Sequence, residues 1–575
     1  MADKQELAGI FAAIAVLLEL KGENPFKIRA YETAARILEE LDGGLDDFVV
    51  SGRVDATKGI GQALAQKVRE FVAAGRLAYY EELKGTVPAV LFELVKVPGL
   101  GPRKALQLHE KLGIDSIGEL EYACRENRLM SLPGFGAKTQ EKILEGIDYL
   151  KRYQGQYLLA DAWPLAEKVA ALLGVQPGVE DAAVAGSIRR RKETVKDIDI
   201  VVAAGEPAAA TAAVAALPGV ERVLGQGPTK TTVQLINGMN MDVRAVRPEE
   251  FAAALHHFTG SKEHQVKLRG LAKDKGLKIN EYGVETADGG KLAIADEAAF
   301  YRALGLAYIE PELREGLDEI EAAAAGTLPV LATAGDIRGV FHVHTTFSDG
   351  SATPAEMAAA ASARGWGYLG VTDHSRTAVY ARGLRLETVA EQRREIERLN
   401  AANPDFKIMA GIECDILADG SLDYPDEVLA EFDFVIASVH SAFRQSEADM
   451  TRRIVRAMEN RYVGVLGHPT GRILLARDGY AVDLAAVVAA AAATGTIIEI
   501  NASPYRLDLD WRWCRKAKEA GGVLAVDPDA HAPAELDYVQ YGVAMARKGG
   551  LAAADIVNTR PAAEALALLR RKRDG

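Results

Sequence analysis

The chain has 575 residues, 49% hydrophobic and 26% charged, with a formal net charge of -13; that length exceeds what one hydrophobic core serves and sets an expectation of about three to five domains. The acidic total excludes a uniformly basic nucleic-acid coat, although clusters at Arg189 to Lys192 and between Lys262 and Lys278 leave room for local basic faces. Three scattered cysteines, Cys124, Cys414 and Cys514, exclude a cysteine-built zinc site and suit a reducing cytoplasm.

From Met1 to about Gly85 the pattern is helical. The apolar run Ile10 to Leu18 follows Asp3 and Glu6 and lacks a cleavage pattern, while Leu7, Ile10, Ile14, Leu17 and Leu18 trace one helical face, so it reads as an amphipathic helix. The Ala-rich runs near Ala208 and from Ala485 to Ala493 fall short of a membrane span, and a soluble, cytoplasmic protein is expected. In PFKIRAYETAARILEEL, Lys27 and Tyr31 lie one turn apart and can share a face, which for a lone pair is ordinarily a solvated one. Three segments then repeat a form: KGIGQALAQKV from Lys58, VPGLGPRKALQLHEKLG from Val97 and LPGFGAKTQEKI from Leu132. Each places Gly-apolar-Gly before a helix, at Gly59 and Gly61, Gly99 and Gly101, and Gly134 and Gly136. The glycines permit a tight turn and the opening N–H groups can hold a backbone phosphate. One such turn is weak evidence; three in succession point to a helix-hairpin-helix grip on nucleic acid that positions the backbone without reading bases.

After Tyr153 strands and helices alternate. In GSIRRRKETVKDIDIVV, a strand through Asp197 and Asp199 sends both carboxylates to one face and Ile198 and Ile200 to the other. Two adjacent acids on one face call for a cation, and the pair reads as a Mg²⁺ site. Gly186 and Ser187, at a helix start after the apolar run Ala182 to Ala185, offer N–H groups and a hydroxyl to a phosphate. Asp242 shares a strand face with Arg244 and supplies a third carboxylate for a two-metal site. From His256, the turn at Phe258, Thr259 and Gly260 can approach a flat ligand, and the next helix carries Lys267 and Arg269 toward a nucleic-acid backbone.

In this order, GSIRRR, KDIDI, MDVR, FTGS and KINEYG behind hairpin motifs resemble a family X DNA polymerase over residues 1 to about 316. The resemblance implies Asp197, Asp199 and Asp242 as metal-binding catalytic carboxylates, with Mg²⁺ or Mn²⁺. It places Gly186, Ser187 and Arg190 at the nucleotide phosphates, Phe258, Gly260 and Gln265 at the nucleotide pocket, and Arg269 near the minor groove at the primer end. Lys27 and Tyr31 match positions that hold a gap's 5′-phosphate, and Lys67 falls at the lysine that removes a 5′-deoxyribose phosphate. Lys196, His257 and Gln265 stand where vertebrate members carry Gly, Tyr and Asn.

The segment Ile309 to Glu315 ends this half, and Glu319 to Pro329, rich in Ala and Glu, reads as a helical linker. Beyond it six of the chain's 10 His stand at the ends of apolar strand-like runs, as in FHVH, VTDH, ASVH, VLGH and DAH. HxH and DxH on a strand put both side chains on one face, and strand C-termini are where α/β barrels keep their sites. That pattern resembles a PHP phosphoesterase domain. The resemblance implies a distorted (β/α) barrel with three divalent metals, Mn²⁺, Zn²⁺ or Fe²⁺, on His342, His344, Asp349, His374, Glu413, His440, His468, Asp529 and His531.

The expected fold is therefore multidomain: an α-helical end-binding domain (1–85), a helix-hairpin-helix domain (86–152), an α/β nucleotidyltransferase palm (153–255), a thumb (256–318), a linker (319–334) and the PHP barrel (335–575). The expected function is a bacterial-type family X polymerase that fills short gaps in base excision repair and carries a 3′-5′ exonuclease, with abasic-site cleavage or 3′-phosphodiesterase activity as a further implication. Its partners would be gapped or primer-template DNA and a dNTP, met by a monomer. A PHP phosphatase with a non-catalytic DNA-binding first half is the alternative, opposed by the intact Asp197, Asp199 and Asp242; a purely structural barrel is opposed by its nine ligand-type residues.

Overall fold

The helical periodicity of the first 150 residues comes from apolar positions three and four apart, and a computed structural model turns it into a helical unit spanning 1–154, with 155–575 as a second unit. The structure describes residues 4–39, 41, 44–125, 128–153, 155–475 and 477–574. In the first unit, helices Lys4–Leu20 and Pro25–Glu39 pack through Leu7, Phe11, Ile14, Tyr31 and Leu38. The same core runs on through Leu64, Val68 and Phe71 to Leu108, Ile143 and Ile147. The segments 1–85 and 86–152, expected as two domains, thus share one hydrophobic core.

In the second unit the palm is a five-stranded sheet. Asp197–Ala204 lies between Val179–Val184, antiparallel, and Asn240–Val246, parallel, and Lys230–Leu235 and Val220–Gln226 extend it beyond Asn240–Val246. Ile198, Ile200 and Val202 on one side of the central strand are buried against helix Leu159–Gly174, as period-two alternation requires. The thumb follows with helices Phe251–Thr259, Lys262–Asp274 and Glu297–Ala303 and the antiparallel strands Leu277–Asn280, Gly283–Thr286 and Lys291–Leu292. The stretch expected as a helical linker begins with helix Glu319–Ala325, whose Ile320 and Ala323 join the thumb core beside Leu268, Phe300 and Tyr301. The reason is a buried tie: Glu319 takes His264 Nδ1 at 2.7 Å.

The C-terminal sheet has seven strands paired in chain order and all parallel: Gly339–Val340, Tyr368–Val371, Lys407–Asp415, Phe434–Ser438, Val463–Leu466, Ile497–Asn501 and Leu524–Asp527. A parallel bridge between Val343 and Ala530 brings the first and last strands together, so the sheet is a nearly closed barrel. Phe341, Tyr368, Phe434 and Val465 form a core with Ala565 and Leu569 of the C-terminal helix Ala562–Asp574. Charged ties join barrel to palm and thumb: Arg472 to Glu193 at 3.4 Å, Arg547 to Glu312 at 2.7 Å, and both terminal nitrogens of Arg515 to Asp318. Among the described residues no helix is long and apolar enough to cross a membrane.

Candidate active sites

The palm's acids are set by strand register. Asp199 stands directly opposite Asp242 on the neighbouring parallel strand, and Asp197 lies two residues before Asp199 on the same face. Burial first, then the charges of Asp197 and Asp242, push Asp199 up to about 7, with Arg244 and Lys230 working against them. Asp197 is raised for the same reasons, burial and then Asp242. Lys230 Nζ lies 2.5 Å from Asp242 Oδ2, and Thr232 donates to Asp242 Oδ1 at 2.6 Å. Asp197 and Asp199, whose ionisation is opposed this way, share one sheet face with Asp242, a donor set that suits a divalent cation, while the described groups whose ligand atoms lie within 4.8 Å of one another are those of the barrel. Gly186 closes the site from the phosphate-motif side. Its φ is +61°, and a Cβ there would fall 2.1 Å from Asp199 Oδ2, so only glycine lets the turn approach the acids. Ser187 follows it in the short helix Gly186–Arg189, half-buried.

Other expected pocket residues are engaged elsewhere. Arg190 is buried, its Nε donating to Glu315 at 3.1 Å and a terminal nitrogen to the Thr259 carbonyl. Gly260, φ +73°, lies against that guanidinium: a Cβ would stand 2.9 Å from it. Gln265 is buried in the thumb, donating to the His256 carbonyl at 2.9 Å. Phe258 is half-buried with the Arg244 guanidinium 4.2 Å from its ring centroid, and both line a cleft of about 150 Å³ with Tyr282 and Arg247. Arg269 is exposed on helix Lys262–Asp274.

In the helical unit the first glycine of each hairpin, Gly59, Gly99 and Gly134, has φ of +103°, +85° and +85°. Gly61 and Gly101 are the N-caps of helices Gln62–Ala74 and Pro102–Leu112, and Gly136 precedes Ala137–Tyr153. Lys27, Tyr31 and Lys67 converge on a residue the sequence did not single out, Tyr79. The Lys67 ammonium lies 4.1 Å and that of Lys27 5.7 Å from its ring centroid, and Tyr31 stacks on it at 6.3 Å.

At the barrel's strand ends all nine expected residues come together in four overlapping groups: His344, Asp349, His374 and His531; His342, Glu413 and His468; His342, His344 and Asp529; and His374, Glu413 and His440. Glu413 is the hub, with its oxygens 2.9 Å from His374 Nδ1, 3.0 Å from His468 Nε2 and 3.2 Å from His440 Nε2. Burial opposes its ionisation, yet the imidazoles of His440, His342 and His374 hold it well below the usual carboxylate range. His344 Nδ1 is buried and makes no hydrogen bond, as suits an atom shaped for a metal ion. Behind them stand two acids that strand-end patterns did not reveal. Glu499 accepts from His342 Nδ1 and Asp415 from His440 Nδ1, each at 2.6 Å, which turns the other ring nitrogen toward the centre.

Four family models match: a helix-hairpin-helix domain over 2–77, a SAM-like helix-hairpin-helix tandem over 91–148, the DNA polymerase beta thumb over 254–315 and the PHP domain over 341–503. The DNA polymerase/3′-5′ exonuclease PolX of Bacillus subtilis (strain 168) is 38% identical over 571 residues, 99% of each chain. DNA polymerase lambda of Rattus norvegicus is 24% identical over 287 residues, 45% of this chain and 47% of its own. A probable phosphatase of Thermoanaerobacter sp. (strain X514) is 31% identical over 163 residues, 27% of this chain and 64% of its own.

Proposed function

The chain belongs to the PolX family of DNA polymerase/3′-5′ exonucleases, and from that premise we propose that it fills short DNA gaps in base excision repair, extending a primer at the palm and trimming 3′ ends at the barrel. The observation that carries this reading is that one chain holds two acidic clusters: Asp199 in register with Asp242 and on one face with Asp197 in the palm, and nine ligand-type side chains converging in the barrel. Asp197, Asp199 and Asp242 would hold Mg²⁺ or Mn²⁺, and the nine barrel residues three ions among Mn²⁺, Zn²⁺ and Fe²⁺. Divalent ions bound there supply the Lewis acidity that reaction at a phosphodiester needs. Ser187 and the turn at Gly186 bind a dNTP's phosphates, Arg190 joins them on leaving Glu315, and Phe258 and Gly260 bound the nucleotide. Asp242 takes the proton of the primer 3′-hydroxyl as that oxygen attacks the α-phosphorus and pyrophosphate leaves. At the barrel, the buried anion of Glu413 keeps the imidazoles of His374, His440 and His468 facing one centre, where a water oxygen bonds the terminal phosphorus, the 3′-oxygen of the preceding nucleotide leaves and the terminal nucleotide is released as a monophosphate.

The three hairpins grip backbone phosphates, Arg269 follows the duplex near the primer end, and Lys27 with Tyr31 takes a gap's 5′-phosphate. Lys67, with its ammonium 4.1 Å from the Tyr79 ring centroid, would be the amine of a lyase step. Primer extension and shortening on gapped DNA, with Mg²⁺ or Mn²⁺, test the assignment. Asp197→Ala is expected to abolish extension and spare shortening, and His344→Ala to do the reverse. Extension that survives the first change removes the palm reading, and shortening that survives the second removes the barrel reading.

A further inference from the structure

Helix Val539–Lys548 of the C-terminal half ends against the polymerase half. The side chain of Lys548 is fully buried, and its ammonium donates to three oxygens outside the barrel: Glu315 Oε1 at 2.5 Å, the Arg190 carbonyl at 2.9 Å and the Glu312 carbonyl at 3.4 Å. Glu315 Oε1 is also the acceptor of Arg190 Nε. One carboxylate therefore serves two cations, and the Glu315 and Arg190 side chains are only 11% and 10% exposed. The Trp511 ring, 4.7 Å from the ammonium at its centroid, helps fix the lysine. Burial draws Lys548 down to about 8, with Glu315 opposing, and Glu315 stays below the usual carboxylate range, against its burial, because of Lys548 and Arg190. The ion pairs favour the Glu315 anion, while burial works against the Lys548 charge that its three acceptors hold in place.

We propose that Lys548 is a positioning residue for the polymerase site: by neutralising Glu315 and anchoring the Arg190 carbonyl, it leaves the Arg190 guanidinium free to exchange onto an incoming triphosphate. A buried carboxylate stripped of its cation is costly. With Lys548 present, Arg190 can leave and Glu315 still has a partner. Without it, every departure of Arg190 strands a buried anion, and the triphosphate must compete with Glu315. The trim domain thereby sets the triphosphate affinity of the extending one, through a lysine that belongs to neither set of ligand-type residues. The inference rests on reading Arg190 as a phosphate ligand.

The test is single-nucleotide gap filling by the full chain, with KM for dNTP and kcat measured separately and primer shortening followed in parallel. Lys548→Met is expected to raise KM about tenfold, the scale of one charge-assisted hydrogen bond, with kcat and shortening within about twofold of the parent. Lys548→Met with Glu315→Gln should return KM to within about threefold, because the acid that needed the lysine is gone; a purely structural lysine would not be rescued this way. Arg190→Gln separates the two readings. If it leaves KM unchanged, the phosphate role of Arg190 fails and this inference with it; if it raises KM while Lys548→Met does not, this inference alone is overturned. Failure of the double variant to recover also overturns it. Should Lys548→Met not fold, Glu315→Gln decides: a lowered KM supports the proposal and an unchanged or raised one defeats it.

Discussion

Glu499 is occupied on both oxygens by the barrel centre. Oε1 takes His342 Nδ1 at 2.6 Å, and Oε2 takes the His468 backbone N–H at 2.6 Å and the Asn501 amide at 3.2 Å. It thus orients one imidazole and fixes the backbone of another. Glu499→Gln presents an N–H to a ring nitrogen that already donates, and the barrel's metal affinity is expected to fall about 10–100-fold. Titration of the metal-free protein with Mn²⁺ measures this; shortening should fall in parallel and extension should hold. Equal affinities in the two proteins would refute the orienting role. Of the nine barrel residues, His342, His344, Asp529 and His531 are legible because HxH and DxH spacing on a strand is a local signal, and the full set is what the resemblance to a PHP domain implies. Glu499 and Asp415 are not legible, since an acid in IIEIN or CDI becomes a partner only when strands far apart in sequence are laid side by side. Tyr79 escaped notice for the same reason: its partners Lys27 and Tyr31 come from another helix. Arg190 and Gln265 show the converse, motif positions whose present contacts are set by Glu315 and His256 rather than by the motif.

At the level of elements, the arginine run that suggested a basic face is largely turned inward. Arg191 lies on Trp163, 3.4 Å from its ring centroid, and Arg189 reaches Glu297 at the start of helix Glu297–Ala303 with bonds of 3.0 and 2.5 Å. Arg314 meets the same carboxylate at 2.6 Å, so Glu297 pins palm to thumb. Burial opposes its ionisation, but Arg314 and Arg189 hold its pKa below the ordinary 4.5. The sign follows: the stabilisation is complete above pH 4.5 and is lost as pH falls through the depressed folded-state value. Glu297→Gln leaves buried guanidinium groups short of a charge and should cost about 3–5 kcal/mol near neutrality. Thermal unfolding of both proteins against pH checks this; the gap between them should narrow in acid, and a gap that is constant or widens would count against the account. The Ala and Glu content of Glu319 to Pro329 marks a helical linker, but not that Ile320 and Ala323 of its helix pack into the thumb core. That burial depends on His264, 55 residues earlier in the chain than Glu319.

For the molecule as a whole, the tight groups of ligand-type side chains, with atoms within 4.8 Å of one another, lie in the barrel, apart from the three acids on the palm sheet, and the helical unit contributes none among its described residues. Ions that bind the folded barrel and not the unfolded chain stabilise it by about 2.7 kcal/mol at a hundredfold excess over Kd. Chelation should lower the unfolding midpoint of the larger unit by several degrees, and Mn²⁺ should restore it. His342→Ala with His374→Ala should abolish the response, and an undiminished shift in that variant would place the stabilising ions elsewhere. Arg472 on Glu193, Arg547 on Glu312 and Arg515 on Asp318 carry a different consequence, for descent rather than for chemistry. A lineage that abandoned trimming could shed its histidines one at a time, whereas losing the barrel would strip the palm and thumb of counter-charges at several points together. Decay of the nuclease should therefore leave a silent barrel still riveted to its polymerase, recognisable by arginines that outlast the ligands.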